Sequence, residues 1–184
     1  MKKVAMFSVC ILFAAKNILA GTYKPQPNGN IFYYPDDGSN PVIVYQGTQQ
    51  ALALVTHDGD IITAFSGGGI YRSPDGQNLG GGGNTYKVYS GSQTIKAMTA
   101  CRGGVFTAFS GAGIYFSPDG KDLGGGGQTH PVYNGTQTVV RMLCESGTGI
   151  DGSDSIITTF SGGGVYKSPD GRNLGGGGKT RRLN

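Results

Sequence analysis

The chain of 184 residues contains no tryptophan and only two histidines. Any aromatic surface must therefore be built from tyrosine and phenylalanine. His57 and His130 lie at unrelated places and show no spacing typical of metal ligands or of a nucleophile with its base. We expect both histidines at the surface, and we predict neither a catalytic site nor a histidine-based metal site.

Long apolar runs are also scarce, and the one that exists lies at the N-terminus. Lys2 and Lys3 precede the apolar residues 4–15, and Ile-Leu-Ala at 18–20, interpreted as the cleavage site, precedes Gly21. This order is typical of a cleavable signal peptide, here bacterial in style. The run is shorter than the ~20 residues that a membrane-spanning helix needs. We predict a signal peptide over residues 1–20 and an exported protein, periplasmic or secreted, with an uncleaved amphipathic anchor as the alternative.

Excess charge of one sign is missing once this segment is removed. The 15 basic residues fall to 12 without Lys2, Lys3 and Lys16, against 11 acidic ones. A balanced charge does not indicate a nucleic acid partner, so we predict none. We interpret the basic residues at 179–182 as a solvated end of the chain.

Glycine, in contrast, is abundant, with 35 residues, and it recurs at fixed places. The phrase Phe-Ser-Gly-Gly-Gly-Ile-Tyr-x-Ser-Pro-Asp-Gly begins at Phe65 and returns, with small changes, at Phe109 and Phe160. Such self-similarity is the signature of a repeat architecture. We predict a single repeat domain over residues 21–184, with repeats at about 30–65, 66–109, 110–160 and a half repeat at 161–184.

Each repeat contains four short runs of β-branched and aromatic residues separated by Asp, Asn, Gly and Pro turns, which indicates a four-stranded meander. A repeat of ~44 residues cannot bury both faces of its own sheet, so neighbours must stack. We therefore predict an all-β, β-propeller-like fold, with a β-trefoil-like three-repeat fold as the alternative. Residues 21–29 contain two prolines, and we expect them to form an extended lead-in outside the sheets.

The segment from Tyr71 to Tyr86 has the pattern Tyr-x-Ser-x-Asp-Gly followed by Thr85 and an aromatic residue. It resembles the Asp-box hairpin of sialidase-type β-propellers, and the resemblance recurs at 115–129 and 166–180. In that family the box is a structural fold-back on the rim, so the resemblance implies a fold and not an activity. The chain departs from it by a Leu-Gly-Gly-Gly-Gly insertion and by the missing tryptophan. The family's catalytic set of three arginines, a tyrosine and a glutamate has no match here, and we predict a protein that is not an enzyme.

The Gly-rich loops bring short polar side chains close to tyrosines in each repeat, a combination suited to sugar hydroxyls and pyranose faces. We therefore predict a lectin-like or otherwise surface-recognising module with several equivalent sites for a glycan or cell-surface ligand. The alternatives are that the tyrosines pack between sheets and that the acids cap turns. Loop oxygens could also hold calcium, although we expect no cofactor. The predicted ligand-binding residues are Tyr71, Asp75, Asn78, Tyr115, Asp119, Asp122, Tyr166, Asp170 and Asn173.

Two cysteines follow Gly21, namely Cys101 and Cys144. They lie at adjacent positions of successive repeats and hence on opposite faces of their strands, as a bridge between stacked sheets requires. We predict a disulfide between them, with two buried free thiols as the alternative. The incomplete last repeat leaves a second function open, a structural or protein-interaction module that completes its propeller as a homodimer.

Overall fold

The computed structural model describes residues 21–111 and 113–184, and these consist of strands and turns. The signal peptide predicted at residues 1–20 lies outside the described residues. Within them, fifteen strands form four antiparallel sheets, and each sheet is a meander in which consecutive strands pair. The described part of the chain includes no helix long and apolar enough to cross a membrane.

The first sheet has three strands and the other three have four. The first consists of β1 (Gly21–Pro25), β2 (Ile31–Pro35) and β3 (Val42–Tyr45). The second consists of β4 (Ala51–His57), β5 (Asp60–Phe65), β6 (Ile70–Ser73) and β7 (Tyr86–Tyr89). The third consists of β8 (Ile95–Cys101), β9 (Gly104–Phe109), β10 (Gly113–Ser117) and β11 (His130–Tyr133). The fourth consists of β12 (Val139–Glu145), β13 (Ser155–Phe160), β14 (Val165–Ser168) and β15 (Arg181–Arg182).

The sheets have the period of the sequence repeats but begin at a different point. Residues predicted to form one repeat at 30–65 are divided, because β3 pairs back onto β2 while β4 pairs forward onto β5. The segment 46–50 therefore crosses from one sheet to the next. The expected lead-in at residues 21–29 is wrong in part, since β1 pairs with β2 along its whole length. Pro25 is tolerated there because β1 is an edge strand.

The first two strands of the second and third sheets are joined by two-residue hairpins. Asp58 and Gly59 have φ values of 50° and 88°, and Arg102 and Gly103 have values of 53° and 70°. Two consecutive positive φ values match the right-handed twist of the strands that they connect. The equivalent turn of the fourth sheet is the longer polar loop between β12 and β13.

Apolar residues fill three clusters, one at each junction between successive sheets. We call the face of a sheet that packs on the preceding sheet its leading face, and the opposite one its trailing face. At the first junction Leu54, Ile61 and Phe65 on the leading face of the second sheet meet Tyr23 and Ile31 of the first. The first strands of the last three sheets also lie side by side, with β4 against β8 and β8 against β12. Separate sheets stacked face to face confirm the propeller-like prediction, and the trefoil alternative does not describe them.

The predicted disulfide joins the third and fourth sheets through Cys101 and Cys144, whose Cα atoms lie 5.4 Å apart. The prediction for His57 is wrong, because this residue is buried with 6% of its surface exposed. It lies at the end of β4, where a turn of the following sheet covers it, and a Cβ at Gly120 of that turn would lie 2.9 Å from its ring. His130 is exposed, as expected.

Candidate functional site

Three of the predicted binding residues, Asp75, Asp119 and Asp170, cap the Ser-Pro-Asp-Gly turns. Asp75 accepts hydrogen bonds from the Ser73 hydroxyl at 3.1 Å and from the Gln77 backbone amide at 3.0 Å. The bond from that amide lowers the pKa of the Asp75 carboxyl. The Lys121 amide lowers the pKa of Asp119 in the same way. A carboxylate that accepts hydrogen bonds within its own turn stabilises that turn, in line with the alternative that these acids cap turns. The third turn repeats this geometry with Ser168, Asp170 and Arg172.

Each of these turns docks on the preceding sheet. Arg72 of the second sheet donates to the carbonyl of Asp119 in the turn of the third sheet. Arg102 of the third sheet donates to the carbonyl of Pro169 in the turn of the fourth, at 3.0 Å. At the first junction, a Cβ at Gly76 would overlap the hydroxyl of Tyr23. The recurring turn is therefore a contact between neighbouring sheets.

The predicted tyrosines have a structural role as well. Tyr71, Tyr115 and Tyr166 are half-buried, and each meets a buried phenylalanine of its own sheet edge-on. The ring centroids of these pairs lie 5.9, 5.9 and 5.7 Å apart. Edge-to-face contact at this distance is a normal packing arrangement for aromatic side chains.

The Leu-Gly-Gly-Gly-Gly insertion links the sheets. Its leucines, Leu79, Leu123 and Leu174, are buried in the three junction clusters. Their backbone amides donate to carbonyls of the last strand of the preceding sheet, those of Val44, Val88 and Val132, at 3.0, 3.2 and 3.2 Å. The next glycine lies against a tyrosine ring of that sheet, so close that a Cβ would overlap the ring. These glycine–tyrosine pairs are Gly80 with Tyr45, Gly124 with Tyr89 and Gly175 with Tyr133.

The remaining predicted residues, Asn78, Asp122 and Asn173, stand at the entrance of the Gly-rich loops and are exposed. The backbone carbonyls of Asn78 and Asp122 accept hydrogen bonds from the hydroxyl groups of Thr85 and Thr129, respectively. Within the described residues, none of the three side chains makes a hydrogen bond. The three side chains are therefore accessible to solvent.

A groove of about 640 Å³ lies beside Asn173, between β11 and the Gly-rich loop of the fourth sheet. Tyr133 and Asn134 form one wall, and Asn173 with Gly175 and Gly176 forms the other. The Gly–Tyr contacts place equivalent residues together at the other two junctions. The structure thus brings Asn173 next to Tyr133, and at the other two junctions Gly80 and Gly124 lie against Tyr45 and Tyr89. Sequence reasoning did not select these three tyrosines. The structure does not bring Asn78, Asp122 and Asn173 together with the three turn aspartates as one site. The 44-residue spacing of Tyr45, Tyr89 and Tyr133 was the signal that could have identified them.

Among the described residues, one group of three potential metal ligands lies close together, Cys101, Cys144 and Asp154. Both sulfur atoms of this group belong to the disulfide. A disulfide sulfur lacks the thiolate character that metal binding needs, so the group does not suit a metal ion. The oxygen pairs considered for calcium include Asp75 with Asn78, and Asp75 is already held by its turn.

No protein-family model matches the chain, and no curated protein matches it. Its structure is similar to that of YCF48 from Cyanidioschyzon merolae, a β-propeller protein, with a TM-score of 0.53 and 13% sequence identity. The chain has a β-propeller-like fold. The similarity covers 87% of this chain and 54% of YCF48, so the chain spans about half the length of the protein that it matches. At this identity the similarity concerns the fold alone.

Proposed function

We propose that the protein is an exported, non-enzymatic binding module that recognises a glycan at the grooves between its sheets. The observation that carries the proposal is the threefold recurrence of one arrangement. At every junction a tyrosine of one sheet contacts a glycine of the next sheet, and an exposed Asn or Asp stands two residues before that glycine.

The chemistry of the groove suits a sugar. The tyrosine is half-buried, because it packs on a phenylalanine of the next sheet and on the junction glycine, and only its exposed part offers an apolar surface. Exposed glycine backbone offers amide and carbonyl groups, and the Asn or Asp side chain is a partner for hydroxyl groups. Arg172 and His130 extend the groove at the third junction. We expect a single site of this kind to bind weakly, and equivalent sites at the three junctions of one domain would increase the avidity for a multivalent glycan surface.

Binding to an immobilised glycan array tests the proposal. We expect the protein to bind a subset of glycans and the triple variant Asn78→Ala, Asp122→Ala, Asn173→Ala to lose that binding. The matched control replaces Asn40, Lys96 and Ser146 by alanine, because these residues are equally exposed and lie outside the Gly-rich loops. A protein that binds no glycan of a broad array, or a triple variant that binds as the control does, would contradict the proposal.

Two further measurements address export and the absence of catalysis. The N-terminal sequence of protein recovered from outside the cytoplasm is expected to begin at Gly21. The protein is expected to leave chromogenic glycosides intact after prolonged incubation. An intact N-terminus at Met1, or release of the chromophore, would contradict the respective part of the proposal.

A further inference from the structure

The two terminal sheets each have a face without a neighbouring sheet among the described residues. On the first sheet this is the leading face, which carries Lys24, Phe32 and Tyr34. The ammonium group of Lys24 lies 4.3 Å from the centroid of the Tyr34 ring, and Phe32 contacts the same ring. On the fourth sheet it is the trailing face.

The trailing face of the fourth sheet has apolar residues at positions that are buried in the third sheet. In the fourth sheet Leu143 pairs with Ile157, and in the third sheet Thr99 pairs with Phe106. Leu143 is thus equivalent to Thr99, and Ile157 to Phe106. Thr99 and Phe106 are buried, whereas Leu143, at the position of Thr99, is 39% exposed. Leu183 follows β15 and is 47% exposed. An apolar sheet face of this kind is typical of a surface that another molecule covers.

The internal junctions show how a trailing face holds the sheet that follows. Arg72 and Arg102 extend from the second and third sheets, and each donates to a carbonyl of the Ser-Pro-Asp-Gly turn of the next sheet. A cation on the trailing side and a turn on the leading side are thus shared features of these two junctions.

The fourth sheet carries a cation at the register position of Arg72, which Phe116 occupies in the third sheet. Lys167 pairs with Ile157 as Arg72 pairs with Ile62. Lys167, Lys179 and Arg181 line a pocket of about 310 Å³. Glu145 forms an ion pair with Lys167, which leaves Lys179 and Arg181 as the excess positive charge of the pocket.

The first sheet carries an acidic turn at the matching place. Tyr34 pairs with Thr22 as Ser73 pairs with Ile61, so residues 35–38 correspond to the turn that follows Ser73. This turn is Pro-Asp-Asp-Gly, and its carboxylates Asp36 and Asp37 are both exposed. The amide of Ser39 occupies one oxygen atom of Asp37. Opposite charges therefore lie at the two open ends of the same chain.

We propose that the occupant of both open faces is a second copy of this chain, with the Asp36–Asp37 turn of each copy seated in the Lys179–Arg181 pocket of the other. Lys167, at the register position of Arg72, lines the same pocket, so the contact continues the arrangement of the second junction, which favours the chain itself over an unrelated partner. The two faces are unlike, so a two-fold axis forms both contacts at once and closes the ring. Two copies contain eight sheets, within the range of ~4–8 blades known for propellers. This proposal does not depend on a ligand in the grooves.

Light scattering coupled to size-exclusion chromatography tests the proposal on the exported protein. We expect a mass twice that of one chain for the wild type. The charge reversals Asp36→Lys with Asp37→Lys, and Lys179→Glu with Arg181→Glu, are each expected to halve the mass. The variant that combines all four substitutions restores opposite charges across the contact, and we expect it to recover the doubled mass.

The control variant Lys96→Glu with Lys121→Glu makes the same change in net charge as the reversal at Lys179 and Arg181, at exposed positions away from both faces. It is expected to keep the doubled mass. Circular dichroism verifies that every variant is folded. A wild type that remains a monomer, charge reversals that leave a dimer intact, or a fourfold variant that stays monomeric would each overturn the proposal.

Discussion

At the scale of single residues, the glycine after each junction leucine is required because a tyrosine ring lies directly beside it. Gly124 has no side chain because a Cβ there would overlap the Tyr89 ring, and its φ lies outside the positive range. The constraint is therefore steric and not conformational. It explains why the glycine run begins immediately after the leucine.

We expect Gly124→Ala to lower the free energy of unfolding by about 1–3 kcal/mol, the usual cost of overpacking a filled site. Gly126→Ala is the matched control, since a Cβ there would meet only Asp122, at 3.8 Å. Chemical denaturation of both variants measures the difference. Equal stability of the two variants would show that the Tyr89 ring does not constrain this position.

The turn aspartates predict a dependence of stability on pH. Hydrogen bonds from backbone amides hold the pKa of Asp75 and Asp119 below the usual range. A carboxyl whose pKa is lower in the folded state stabilises the fold above the unfolded pKa of ~3.9, and this contribution is lost as the pH falls through the folded pKa.

We expect Asp119→Asn, which keeps an acceptor oxygen but cannot ionise, to flatten the loss of stability below a pH of ~4. Denaturation midpoints at several acidic pH values measure the effect. Asp122→Asn serves as the comparison, because the Asp122 carboxylate makes no hydrogen bond within the described chain. A variant at Asp119 with the acid sensitivity of the wild type would contradict the assignment of the carboxyl.

At the scale of elements, the disulfide is the single covalent cross-link between sheets, besides the backbone itself, in the described chain. It closes a loop with a sequence separation of 43 residues between the third and fourth sheets. Replacing both cysteines by serine is expected to lower the free energy of unfolding by about 2–4 kcal/mol, mainly because the unfolded chain gains freedom. Chemical denaturation with and without reductant measures this loss of stability. The stability of the double variant should not change when reductant is added. A wild type equally stable in reductant would contradict this role.

The sequence predicted features that depend on neighbouring residues in the chain or on the spacing of the repeats. It did not predict other features that depend on contacts between sheets. The strands, the hairpin at Asp58–Gly59 and the disulfide follow from local pattern and repeat spacing. The division of strands among sheets did not, because 46–50 has the composition of a hairpin turn and yet crosses between sheets. His57 also has turn neighbours in sequence, and its burial depends on a turn of the next sheet.

The candidate site shows the same limit. Asn78, Asp122 and Asn173 were predicted from the loop composition, and the structure leaves all three exposed, with Asn173 lining a groove. Their tyrosine neighbours were assigned within the repeat, to Tyr71, Tyr115 and Tyr166, whereas the tyrosines that form the groove belong to the preceding sheet. A contact between repeats cannot be recognised from the composition of one repeat.

At the scale of the whole molecule, each sheet is held by its neighbours, as in other repeat proteins. The second and third sheets are covered on both faces, while the first and fourth are covered on one. Opening of a terminal sheet breaks one junction, and opening of an internal sheet breaks two. Local stability should therefore decrease from the middle of the stack to its ends.

Amide hydrogen exchange measures this gradient. At a protein concentration that keeps the chain monomeric, we expect the amides of β5 and β9 to exchange most slowly and those of β1 and β15 fastest. Raising the concentration should slow exchange in β1 and β15 specifically, because a second copy would cover the faces that carry them. The charge-reversed variant at Lys179 and Arg181 should keep fast exchange in β1 and β15 at every concentration. If all four sheets of the monomer were equally protected, stabilisation by neighbouring sheets would be contradicted. If the protection of β1 and β15 did not depend on concentration, closure by a second copy would be contradicted.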